Sequence, residues 1–395
     1  MNAYLNALGL ICALGRGKTE VATRLLAGDM SGMQLYPNPV AGRQLPVGAV
    51  IGELPAIDDA PLRYATRNNQ LLTAAVEQIE TELHEAIARF GPSRIGVVIG
   101  TSTTGIQEAT RGIAALAHTG QLSPSYDYGH QELCAPASFL SERLQLSGPS
   151  YSISTACTSS ARALFSAKRL LDAGMCDAVI CGGVDTLCDL TLRGFSALEA
   201  TSERICNPFS ANRDGINIGE AAVVFLMTHE KAPIALLGAG ATSDAHHISA
   251  PDPLGQGAIE AMRKALSSAG TEAEQVTYLN LHGTATQHND IMESRAVAAV
   301  FPDGVDCSSS KPLTGHTLGA AGALEAAFCW LALSEHNPSG LLPPHLWDGQ
   351  QDSELPALKL TTAGTAMTTA GPRRMMSNSF AFGGNNISLI LGDAP

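Results

Sequence analysis

Residues 151–160 read YSISTACTSS and continue as ARALFSAKRLLDAG over 161–174. Residues 151–155 alternate small and β-branched side chains like a short buried strand, while Leu164, Ala167, Leu170 and Leu171 recur at the spacing of an amphipathic helix. Cys157 therefore stands at a strand-to-helix turn. Unpaired backbone N–H groups and the positive end of the helix dipole favour thiolate over thiol there, so the turn predicts a nucleophile with a lowered pKa. A packed, inert thiol is the more usual fate of a free cysteine. The small neighbours Ala156, Thr158, Ser159 and Ser160 keep the functional reading open beside it.

Working outward, residues 94–100 (RIGVVIG) form a β-branched run suited to a strand buried on both faces, ending in the small-residue loop TSTTG at 101–105. Residues 3–15 read as an apolar strand and turn, 19–26 as a helix, and 37–54, rich in Gly and Pro, as irregular or edge structure. Residues 61–90 carry one long helical pattern with Leu71, Leu72, Ala75, Ile79, Leu83 and Ile87 on one side. Arg63 and Arg67, four apart, share a face of it, read either as solvated surface or as the dock of an acidic partner. Helical patterns follow at 107–117 and 138–144, and buried strands at 177–183 and 221–227. Between those strands, the turn-rich loop 207–220 holds a close Arg213–Asp214 pair.

The second half repeats this grammar, with strands at 234–237 and 278–281 and helices at 255–268, 291–300 and 317–334. The strand–turn–helix that holds Cys157 and the one that holds Lys311 and His316 look like one unit used twice. Such a duplication brings two helix N-termini and their loops to one site, where strand ends bind ligands.

The chain has 395 residues, of which 45% are apolar and 15% charged. The charged share is below the roughly 25% of ordinary soluble domains, which points to surface buried in an obligate oligomer. A net charge of −13 argues against nucleic acid as partner. Nine cysteines without a C-x-x-C pair, and a first segment lacking the features of a signal peptide, predict free thiols and a cytoplasmic setting. No apolar run has the length to span a bilayer.

Three further segments carry chemistry. YLNLHGTAT at 278–286 places His282 at the end of an apolar strand. SSSKPLTGHTLGAAG at 308–322 puts Lys311 and His316 on a glycine-rich turn before a helix, with Glu325 within reach of a cation near its start. SNSFAFGGNN at 377–386 enters a glycine turn where Gly383 and Gly384 permit positive φ and free N–H groups, a common way to build an oxyanion hole. One activatable thiol, two histidines and two glycine turns indicate acyl transfer through a thioester. No H-x-x-H or Cys/His cluster has ligand spacing along the sequence, so no metal is expected.

TACTSS, HGTAT, SSSKPLTGHTLGAAG and NSFAFGGNN, in this order, resemble the four signature blocks of the elongating β-ketoacyl-[acyl-carrier-protein] synthases. The resemblance implies an α/β thiolase-like fold with duplicated halves in α-β-α-β-α layers, divided here into 1–233, with the nucleophilic cysteine, and 234–395, with the histidines. It implies decarboxylative Claisen condensation of an enzyme-bound acyl thioester with malonyl-ACP. No cofactor is implied beyond the phosphopantetheine of acyl carrier protein, which carries the substrates. Cys157 would take the acyl chain, His282 and His316 would hydrogen-bond the malonyl thioester carbonyl, and Lys311, held by Glu325, would tune the field. The N–H groups of Cys157 and Phe382 would form the oxyanion hole, with Phe382 and Gly383 in the gate of the acyl pocket. Thr284 and Thr286 would contact phosphopantetheine, Phe195 the acyl chain, and Arg63 and Arg67 the carrier protein.

His316 disfavours chain-initiating relatives, which resemble this pattern with asparagine there, and the C-terminal segment lacks a thiolase's second cysteine. The alternative is a non-catalytic chain-length partner of another synthase, which would lack Cys157. The resemblance implies a homodimer, or a heterodimer with a paralogue or chain-length factor. The loop NPFS at 207–210, with Ala221 and Val223 where glycines are common in the family, departs from its pattern. That departure suggests a divergent member from a polyketide or aryl-polyene pathway.

Overall fold

The computed structural model describes residues 2–37, 40, 42–368 and 371–395. Part of the irregular segment expected at 37–54 lies outside the described residues; within it, Pro46–Gly48 is a short strand. Five strands of the first half are β1 (Ala3–Cys12), β2 (Ile95–Gly100), β3 (Ser150–Ile153), β4 (Ala178–Asp185) and β5 (Ala221–Thr228). They are followed by β6 (Ile234–Ser243), β7 (Tyr278–Asn280), β8 (Asp306–Ser308), β9 (Arg374–Ala381) and β10 (Asn385–Asp393).

The strand order repeats. In the first half it is β1-β5-β4-β2-β3 and in the second β6-β10-β9-β7-β8. In each half the first two pairings are antiparallel and the next two parallel. β1 and β6 join the halves through Ala3 opposite Leu236 and Tyr4 opposite Ala235.

Alternation along each strand separates two cores. Val223, Phe225 and Met227 of β5 face a central cluster, while Ala222, Val224 and Leu226 face an outer one. The central cluster holds α4 (Ser159–Asp172) and α7 (Ala321–Leu333) between the half-sheets. The outer face of the first half carries α1 (Arg67–Val76), α2 (Glu80–Phe90) and α3 (Ala135–Arg143). That of the second carries α5 (Gln256–Ala269) and α6 (Gln287–Val300). These are the five α-β-α-β-α layers of the expected thiolase-like fold. Leu164, Ala167, Leu170 and Leu171 all enter the central core, as their spacing predicts. Val223 lies in that core too, so the bulk found there in place of glycine is absorbed as packing.

Two expectations are corrected. The single helix over 61–90 is instead a 3-10 turn at Leu62–Tyr64, α1, a second 3-10 turn at Glu77–Ile79, and α2. Thr66 stands outside the helix as N-cap, its side chain accepting from the Asn69 N–H, so Arg63 and Arg67 do not share a helical face. Arg213 pairs with Asp352 at 2.6 Å and Asp214 with Arg204 at 2.9 Å, in place of the expected Arg213–Asp214 pair.

Candidate active site

Duplication places the chemistry. Cys157 follows β3 and precedes α4; Lys311 and His316 follow β8 and precede α7, at the equivalent point of the second half. Ala156 adopts φ 51°, a left-handed value that a non-glycine residue takes only when its surroundings hold it there. The turn supplies that hold. Ser159 donates its hydroxyl to the Ala156 carbonyl at 2.5 Å and accepts from the Thr155 N–H at 2.9 Å, while Thr158 donates to the Thr155 carbonyl at 2.7 Å.

His316 is held from the other half. Its N–H donates to the Asn217 carbonyl at 2.7 Å, and its own carbonyl accepts from the Gly219 N–H at 2.9 Å. At Gly315, with φ 66°, a Cβ would lie 2.6 Å from the Ile218 carbonyl oxygen, so this approach requires glycine. His282 leaves the end of β7. Its N–H and that of Gly283 donate to the two oxygens of Glu293 on α6, each at 2.7 Å, and Ser309 donates its hydroxyl to the Gly283 carbonyl at 2.7 Å.

These supports bring three groups together from distant points of the chain. Nε2 of His316 lies 2.9 Å from Sγ of Cys157. The two imidazole rings are 5.2 Å apart at 84°. The sulfur and a nitrogen of each ring lie within 4.8 Å of one another. The sequence reading excluded a metal on spacing along the chain; in space, three ligand-type atoms converge. All three residues line one cavity of about 360 Å³, together with Phe195, Thr284, Thr286 and Phe382. The Phe195 and Phe382 rings are 5.6 Å apart, and Phe382 is followed by Gly383 and Gly384 at φ 82° and 73°.

Lys311 Nζ meets Glu325 Oε1 at 2.5 Å, with side chains only 2% and 3% exposed. Burial pushes the Cys157 thiol up to about 12; the Lys311 ammonium pulls it down, while Glu325 and Asp185 add to the rise. Burial, and then the Lys311 charge, hold both imidazoles well below their ordinary value. The expected lowering of the Cys157 pKa is therefore corrected: burial is the largest influence on this thiol and raises it. At neutral pH a thiol faces a neutral imidazole, and a nucleophile arises as the proton passes from Sγ to Nε2.

The arginines lie elsewhere. Arg67 makes a two-pronged pair with Glu220, with contacts of 2.6 and 2.9 Å, and the Glu220 side chain is 1% exposed. Arg63 pairs with Glu142 at 3.0 Å on the surface.

Sequence reading missed two of the buried acids, Glu293 and Asp185, that brace the turns of the site. Glu293 holds the His282 turn. Asp185, at the end of β4, accepts from the hydroxyls of Thr101, Ser102 and Thr103, from the N–H groups of Ser102 and Thr103, and at 2.6 Å from the Gly319 N–H. It thereby ties the loop after β2 to the turn that follows His316. The available signal was an acid closing an otherwise apolar strand.

Residues 55–232 match the family model described as Beta-ketoacyl synthase, N-terminal domain, and residues 234–346 the one described as Beta-ketoacyl synthase, C-terminal domain. The chain is 35% identical to 3-oxoacyl-[acyl-carrier-protein] synthase 2 of Rhizobium meliloti over 98% of this chain and 97% of that protein. The chain belongs to the β-ketoacyl synthase family. It is a condensing enzyme of the acyltransferase type that elongates acyl chains, on the thiolase fold. Among solved structures, a chain of the complex of a ketosynthase with its chain length factor from Xenorhabdus doucetiae is 45% identical with a TM-score of 0.94, covering 100% of this chain and 98% of that one. The ishigamide ketosynthase/chain length factor is 25% identical with a TM-score of 0.88, covering 100% and 99%. Among the described residues no helix is long and apolar enough to cross a membrane.

Proposed function

We propose that this β-ketoacyl synthase joins an acyl chain held on Cys157 to a malonyl unit carried by acyl carrier protein, releasing carbon dioxide and lengthening the chain by two carbons. The single observation that carries the reading is the meeting of Cys157, His282 and His316 in one cavity. Cys157 attacks the incoming thioester while His316 Nε2 takes its proton; the donor's carbon–sulfur bond breaks and the proton passes to the departing thiol. Both imidazoles then donate to the malonyl thioester oxygen, which becomes negative as carbon dioxide leaves. The N–H groups of Cys157 and Phe382 serve the tetrahedral intermediates, and Thr284 and Thr286, whose hydroxyls lie 2.9 Å apart, receive the phosphopantetheine arm. Phe195 and the Phe382–Gly383 turn shape the acyl entrance. A division into halves 1–233 and 234–395 is supported by the repeated strand order.

The working unit is a pair in which this chain supplies the chemistry and a chain-length-factor paralogue the second subunit. Strand β3, which leads into the Cys157 turn, is the outer strand of its sheet, leaving one backbone edge for a partner strand. The segment before it exposes Ile113, Leu116, Leu122, Tyr128 and Leu133. The 45% identity to a chain of a solved ketosynthase–chain length factor complex supports such a pairing, and Cys157 assigns the catalytic role in it to this chain. Carrier-protein docking rests on Arg63, since Arg67 is anchored to Glu220.

The test is reconstitution with malonyl- and acyl-loaded carrier proteins, with and without the paralogue, read by product mass. Product two carbons longer, dependent on Cys157, supports the reading. Product formation that survives Cys157→Ala overturns it, and full activity of the chain as a monomer overturns the pairing.

A further inference from the structure

We propose that Cys157, His282 and His316 form a binding site for a divalent cation of the zinc class, whose occupancy reversibly blocks the catalytic sulfur. Zinc takes thiolate sulfur at about 2.3 Å and imidazole nitrogen at about 2.0 Å in tetrahedral geometry, which sets donor atoms roughly 3.3–3.6 Å apart. The three donors here lie within 4.8 Å of one another, and the shortest separation is the 2.9 Å between Sγ and Nε2. Side-chain shifts below about 1 Å bring them to that spacing. The fourth position opens into the cavity, from which an ion and its water can enter.

The Lys311 field that opposes imidazolium also opposes an added cation, and the thiolate formed on binding offsets part of that charge. One ammonium, Lys311, is already paired with Glu325, while the Asp185 carboxylate acts on the sulfur and Glu293 holds the backbone of His282. Binding is a proton exchange: the sulfur–hydrogen bond breaks, a sulfur–zinc bond forms, and the proton leaves to solvent, with no change of oxidation state. The site is weaker than a structural one. Nδ1 of His282 and Nδ1 of His316 are buried without a hydrogen-bond partner among the described residues, so neither ring has the outer hydrogen bond that raises ligand strength in dedicated sites. The ion and an acyl chain compete for one sulfur, so a loaded enzyme is protected and a free one is held closed. The blocking role rests on the condensing function proposed above; the binding itself does not.

The test is titration of chelator-stripped protein with Co2+, followed by absorption and then by competition with Zn2+. The expected result is one equivalent bound, with a thiolate-to-cobalt charge-transfer band that Zn2+ abolishes. Cys157→Ala, and wild-type protein alkylated at Cys157, lose the band. His282→Ala weakens binding at least about tenfold, while Cys134→Ser, which removes an exposed thiol, leaves it unchanged. A band that persists after Cys157 is alkylated, no band in the wild type, or affinity indifferent to His282→Ala overturns the proposal. Acylation of Cys157 is measured separately in excess chelator. Failure of metal binding with intact acylation therefore removes this inference and leaves the condensing function standing.

Discussion

Replacing Lys311 by Met leaves the Glu325 carboxyl buried without its cation; replacing Glu325 by Leu leaves the ammonium buried instead. At 2.5 Å and an effective dielectric constant of about 20, their attraction is roughly 7 kcal/mol before desolvation is charged against it. Desolvation of two ions offsets most of that, but removing one partner exposes the full cost of the other, about 3–5 kcal/mol for each single substitution. The double variant carries no stranded charge and returns to within about 2 kcal/mol of the wild type, a coupling of about 4 kcal/mol or more. Urea unfolding of the four proteins, followed by circular dichroism, measures the cycle. Catalysis behaves differently, because burial, and with it the Lys311 charge, holds both imidazoles neutral. In the double variant that opposition is gone, imidazolium forms at higher pH, and the acid limb of the pH–rate profile moves up. A coupling below about 1 kcal/mol, or an acid limb unchanged in the stable double variant, refutes the reasoning.

Arg63→Glu raises KM for acyl carrier protein several-fold while acylation by a small thioester stays near the wild-type rate; equal loss of both counts against docking. Arg67→Glu places two carboxylates together at the buried Glu220 and costs about 3 kcal/mol or more in urea unfolding. Asp185→Asn replaces an acceptor-only group by one whose NH2 faces donors, so stability falls by about 2 kcal/mol or more, kcat drops through the displaced His316 turn, and KM changes little. Glu293 is pushed up to about 7 by burial, so the folded state binds a proton between its unfolded value near 4.5 and about 7. Its contribution to stability is therefore fully present below about 4.5 and is lost as pH rises through 7; Glu293→Gln flattens that slope in unfolding curves collected across this window.

Where apolar periodicity was regular, the chain could be read directly: Leu164, Ala167, Leu170 and Leu171 gave α4, and the β-branched run at 95–100 gave β2. Boundaries failed where a local bond or a close approach overrode the pattern. Strand β6 runs on to Ser243, well past the expected end at 237, because Gly238 and Gly240 serve helix packing: a Cβ at Gly240 would lie 2.1 Å from the Ala261 carbonyl oxygen. The helix expected over 61–90 begins only after the cap at Thr66 and is broken again at Glu77–Ile79, a break hidden from the sequence because Ile79 keeps the apolar stripe running through it. At the site, residue types and turns were legible, and so was the repeated unit. The charge state was not. A dipole at a helix start is visible in sequence, whereas the full burial that raises the Cys157 thiol depends on both halves closing over it. Asp185 and Glu293 escaped for the same reason, because their partners lie on loops brought together only by the fold.

The most direct measurement is intact mass after exposure to an acyl thioester and then to malonyl-loaded carrier protein. Wild-type chain gains one acyl group on Cys157 and loses it on the second addition; His282→Ala gains the group and retains it, and Cys157→Ala gains nothing. Acylation of Cys157→Ala to the same extent, or unimpaired discharge from His282→Ala, contradicts the claim that this sulfur and these imidazoles act on one carbonyl.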